Sequence, residues 1–143
     1  MKMEMVIGTK WIREHEEALG ELVLRGLRWE CERYDVKVPL VIRIDKHGNS
    51  SGWCLGTFTL SEIEGIPQGE PKIVLSFDNP AVRAKPEELL ITLFHEFYHY
   101  LEWTRDPDSY TREKNLPRSH PVEIEYDRRA YEDFDSYLKD RSV

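Results

Sequence analysis

Cysteine is scarce in this 143-residue chain: there are two, Cys31 and Cys54, far apart and in no C-x-x-C pair. That excludes a disulfide framework and a zinc ribbon, and makes a reducing cytoplasm the expected setting. No apolar run approaches the roughly 20 residues that cross a membrane. The Met-Lys-Met-Glu start lacks the apolar core of a secretion signal, so no membrane partner is expected. Gly and Pro number only 8 each, too few for a low-complexity or collagen-like chain. Positive charge is in deficit as well. Against 27 Asp and Glu stand 20 Lys and Arg, a net charge of −7, which argues against a nucleic-acid partner gripped through its phosphates. The densest basic stretch (Arg105, Arg112, Lys114 and Arg118, then Arg128-Arg129) reads as solvated residues balancing nearby acids. What remains is 40% hydrophobic and 33% charged, enough for one domain over residues 1–143 with its own core.

Against that background, residues 95–99 read His-Glu-Phe-Tyr-His. Pro86 suits the first position of a helix, and Glu87 and Glu88 complement its dipole. Neither Gly nor Pro interrupts the segment from Glu87 to about Trp103. Leu90, Leu93, Phe94, Phe97 and Leu101 recur there at three- and four-residue steps, the pattern of an amphipathic helix. On such a helix His95 and His99 rise one above the other on one face. Two imidazoles so placed can hold one Zn²⁺, and Glu96 can reach a water beside it as general base.

Zinc in a catalytic site needs a third protein ligand. Pro121 can open a second helix running to about Lys139, on which Glu123, Asp127, Ala130 and Phe134 share a face. That offers a ligand carboxylate and, one turn on, an aspartate able to accept the free ring N–H of a zinc histidine. The competing reading is the solvated side of an acidic helix. Elsewhere, Thr9 can cap a helix running to about Tyr34, with Ile12, Leu19, Leu22, Val23 and Leu27 as its buried stripe. Strands are expected over Leu40 to Ile44, Trp53 to Leu60 and Lys72 to Phe77, with a loop from Ile63 to Gly69. A polar connector from Asp106 to His120 borders the site. The pattern predicts an α+β fold: a small antiparallel or mixed sheet of about three to four strands, packed against an N-terminal helix, the active-site helix and a C-terminal helix.

An H-E-x-x-H followed, after a connector, by Glu123-x-x-x-Asp127 resembles the gluzincin metallopeptidases, most of all a minimal gluzincin or SprT-like domain. The resemblance covers about residues 70 to 135. It implies a zinc metallopeptidase acting on a peptide or protein substrate, with one Zn²⁺ held by His95, His99 and Glu123. Glu96 would be the general base and Asp127 would support the ligands. It also implies that the strand at Ile73 to Phe77 offers a free edge to an extended substrate. Tyr126 departs from the family, which has a small alanine there, and brings bulk between the two helices. Glu125 and His120 stay open as third ligands, and Tyr110, His120 and Tyr131 as groups able to stabilise an oxyanion. Peptide deformylases are similar in another way, pairing a late H-E-x-x-H with an upstream cysteine. Cys54, in Gly52-Trp53-Cys54-Leu55, stands at a comparable distance, and would make a deformylase-like amidohydrolase. Its ordinary reading is a small buried residue on a strand. A non-catalytic module using zinc to stabilise a protein-interaction surface is the remaining alternative.

Overall fold

A computed structural model describes residues 3–7, 12–36, 40–45, 56–63, 66–76, 85 and 87–141. The fold is α+β. Strands β1 (Met3–Ile7), β2 (Leu40–Asp45), β3 (Gly56–Ile63) and β4 (Ile66–Ser76) join in the order β1-β2-β4-β3. β1–β2 and β2–β4 run parallel, whereas β3 and β4 form an antiparallel pair with Ile63 opposite Ile66. Period-two burial explains why these segments are strands. Leu40 and Ile42, Phe58 and Leu60, and Ile73 and Leu75 are all buried, two apart on one sheet face.

Two expectations change here. The segment from Ile66 to Gly69, expected in a loop, begins β4, because pairing with β3 extends the ladder to Pro67 opposite Glu62. The strand containing Ile73, expected to have a free edge, is bonded to β2 on one side and β3 on the other. Among the described strands the edges are β1 and β3, and β3 is the one beside Glu96.

Four helices complete the chain: α1 (Ile12–Arg33), α2 (Glu88–Arg105), the short α3 (Ser109–Glu113) and α4 (Pro121–Arg141). Thr9 and Pro86 lie outside the described residues. Helix α1 ends on Asp35, whose φ of 49° turns the chain left-handed while the Val36 N–H reaches back to the Cys31 carbonyl at 3.2 Å. Helix α2 is the centre of the molecule. Leu89, Leu90, Leu93, Phe94, Phe97 and Tyr100 on it are completely buried, each side chain stabilising the fold by roughly 1.5–3 kcal/mol. Close packing of α1 on α2 depends on Gly26, where a Cβ would stand 2.5 Å from Leu90 Cδ2. Pro121 opens α4 where its missing N–H matters least, and His120 Nδ1 accepts from the Val122 N–H at 3.1 Å. The buried positions of α4 are Tyr126, Ala130, Asp133 and Tyr137, a stripe with steps of four, three and four that packs against α2. Among the described residues, no helix is long and apolar enough to cross a membrane.

Candidate metal centre

His95 and His99 lie mid-helix on α2, buried, on the side facing α4. Opposite them, the first turn of α4 carries Glu123, whose carboxylate bridges the two rings. Its Oε2 is 2.7 Å from His95 Nε2 and its Oε1 is 2.9 Å from His99 Nε2. Ligand atoms from the three side chains fall within 4.8 Å of one another. Both histidines therefore direct Nε2 at a common point and leave Nδ1 for outer partners.

Those partners are carboxylates. Glu113 Oε1, at the end of α3, lies 2.9 Å from His99 Nδ1. Asp127 Oδ1 stands 2.6 Å from His95 Nδ1, but out of line with the ring N–H, so the contact is ionic and that nitrogen has no aligned hydrogen-bond partner. Outer carboxylates of this kind fix the tautomer and orientation of metal-binding imidazoles. Tyr126 tightens the set instead of crowding it. Its ring meets that of His99 edge-on at 4.7 Å and stacks on Tyr98 at 5.8 Å, and its hydroxyl donates to Glu113 at 3.2 Å.

Glu96 stands beside the trio, with Oε1 4.0 Å from His95 Nε2. Its other oxygen accepts the Phe58 backbone N–H at 2.9 Å, so the edge strand β3 holds this carboxylate in place. Gly56 lets β3 come close enough, since a Cβ there would lie 2.7 Å from Thr92 Cγ2 on α2.

Electrostatics follow from this packing. Burial opposes charge on both imidazoles, but the bonds to Glu123 and the charge of Glu96 prevail, raising His95 and lifting His99 to about 9. Burial alone would raise Glu123 as well. The two imidazole bonds reverse that and hold it at about 2. For Glu96 burial wins, and its affinity for a proton rises despite the neighbouring histidines and the Phe58 N–H.

A cavity of about 410 Å³ opens beside the trio, with Glu96, Thr92 and Ile91 of α2, Gly56 to Phe58 of β3, and part of the connector as its walls. Tyr110 and Tyr131 line it too. The hydroxyl of Tyr110 sits 3.4 Å from Thr59 Oγ1, and Tyr131 is 54% exposed. Two sequence candidates fall elsewhere. Glu125 bonds Arg128 and Arg129 on the outer side of α4. His120 caps α4 and does not line the cavity. Cys54 lies outside the described residues. Glu113 escaped sequence reasoning, because no spacing rule ties a glutamate in a polar connector to a histidine on the preceding helix.

No protein-family model, curated protein or solved structure matches the chain. Function is therefore read from the site itself.

Proposed function

We propose that this protein is a zinc-dependent metallopeptidase that hydrolyses peptide bonds. One observation carries the reading: two imidazole nitrogens and a carboxylate meet at one point, each imidazole backed by a further carboxylate, with Glu96 beside them at an open cavity. Two nitrogens and one oxygen are a donor set suited to zinc, with His95, His99 and Glu123 as the residues that would hold it. Bound there, zinc supplies a Lewis acid that polarises a carbonyl and makes water more acidic. A structural zinc is normally enclosed by four protein ligands. Three ligands beside a cavity favour catalysis over a purely stabilising metal. The mixed sheet of three to four strands behind three helices is the frame a minimal gluzincin-like domain would use.

The chain's own groups then divide the work. Phe58 N–H fixes one oxygen of Glu96, leaving the other free to take a proton from the attacking water and deliver it to the leaving nitrogen. Glu113 keeps His99 in the tautomer that presents Nε2 inward, and the charge of Asp127 beside His95 Nδ1 favours the same tautomer there. Tyr110 or Tyr131, both at the cavity wall, would donate to the oxyanion that forms as the carbonyl is attacked.

The test is Glu96→Gln, assayed against a mixed peptide library beside metal analysis of the same preparation. One zinc per chain with hydrolysis reduced by about two orders of magnitude or more is expected of a lost general base. Undiminished cleavage by Glu96→Gln, or a wild type that binds no zinc when supplied with it, would end the proposal.

A further inference from the structure

Six of the nine arginines whose side chains are described are already paired with an acid. Arg25, Arg33, Arg105, Arg112, Arg128 and Arg129 each lie within 4.0 Å of a carboxylate, and Arg141 sits over the Tyr137 ring. Arg118 has no acidic partner among the described residues, and it lines the cavity beside the trio. Arg28, which also lacks an acidic partner there, is on the exposed side of α1, away from the cavity. Lys114, one turn-length before Arg118 in the connector, is the other cation on the cavity wall, and its Nζ rests 5.8 Å from the Tyr110 ring centre.

The acids of the same cavity are engaged with other groups, and none of them forms an ion pair with these cations. Glu123 is shared by two histidines, Glu113 by His99 and Tyr126, Asp127 faces His95, and Glu96 is bound by Phe58 N–H. Exposed cations on one side of a concave wall focus a positive field there, while the rest of the wall would repel an anion. A guanidinium is also a planar fork that matches a carboxylate through two parallel bonds. We infer that Arg118, aided by Lys114, is a specificity determinant that selects peptides carrying a carboxylate next to the scissile bond.

This rests on the peptidase reading, and the carboxylate can come from an Asp or Glu side chain or from a free C-terminus. Four peptides of equal length separate the sources: acidic side chain with amidated end, neutral side chain with free end, both, and neither. Each is assayed for kcat/KM with the zinc-loaded wild type, Arg118→Ala and Arg118→Glu, and for binding by fluorescence anisotropy with Glu96→Gln and Glu96→Gln/Arg118→Ala. Expected is a preference of about tenfold or more for one carboxylate source, as for a charged hydrogen bond. Arg118→Ala should abolish it and Arg118→Glu should invert it, making the peptide with neither carboxylate the better substrate. Cleavage of all four peptides with no preference, or with a preference both variants keep, overturns the inference and leaves the peptidase reading intact. Arg118-dependent binding without any cleavage upholds the carboxylate site and overturns the peptidase reading. Failure of every peptide to bind or be cleaved overturns both.

Discussion

Glu30 should make this fold less stable as pH rises, and Glu30→Gln should remove that dependence. Its side chain is completely buried where α1 meets α4, facing the carboxyl of Asp133. Around the pair lie Arg33, 3.5 Å from Asp133, and the hydroxyls of Tyr34 and Tyr98, both donating to Asp133. With both acids ionised neither oxygen of Glu30 has a donor, so the contact becomes a hydrogen bond only when the pair holds a proton. Burial foremost, then the Asp133 charge, pushes Glu30 up to about 10. In the unfolded chain it returns to 4.5. The native state therefore binds more protons than the unfolded state between these values, and the linkage slope is negative: stability falls as pH rises through the window. Only the unfolded value fixes the size of the effect below neutrality. From about pH 5 to pH 7 the loss is on the order of 2.5 kcal/mol, at about 1.4 kcal/mol per pH unit once Glu30 is ionised in the unfolded chain. The amide of the Glu30→Gln variant would donate to Asp133 at every pH. Urea unfolding of both proteins at several pH values, with chelator present to exclude metal-linked protons, reads the difference directly. The two stability curves should diverge with rising pH in favour of Glu30→Gln. Parallel curves would refute the shared proton.

Three further outcomes follow from the site's supports. Glu113→Gln should weaken zinc binding by about 10–100-fold while leaving the fold intact, as expected for an outer partner of a ligand histidine. Tyr126→Phe should do the same to a smaller degree, and competition with a chelating dye that finds wild-type affinity in both would dismiss Glu113 as a support. Gly56→Ala should lower kcat with little change in zinc content, because its Cβ would press on Thr92 and lift Phe58 N–H from Glu96. Full kcat in that variant would show that Glu96 needs no help from β3.

The parts legible in the sequence are those encoded within one helix. The 3.6-residue period set out α2 almost to its ends, and spacing alone put His95 and His99 on one face. Contacts between distant segments were not legible. Met3–Ile7 is too short to announce itself, and only parallel pairing with β2 makes it a strand. The strand of Ile73 is not a free edge, since chain order does not give sheet order when β2 pairs with β4 and β3 lies outside them. Glu113 and Arg118 reach the cavity because the connector folds back over α2, which its polar composition does not encode.

The choice between Glu123 and Glu125 lies between these extremes, because the residue pattern of α4 encodes its own rotation. Tyr126, Ala130, Asp133 and Tyr137 form the buried stripe of α4, and two of them are tyrosines, large residues that seldom repeat at helical spacing on a solvated face. Taking that stripe as the axis puts Glu123, Asp127 and Tyr131, each four residues from the next, along one flank. Glu125 falls on the opposite flank, where it meets arginines. A face drawn through Glu123, Asp127, Ala130 and Phe134 also favours Glu123, but it leaves out Tyr126, whose bulk stands between the two helices. Packed on His99 and bonded to Glu113, Tyr126 instead sets the rotation of α4. That rotation is what turns Glu123 toward both imidazoles.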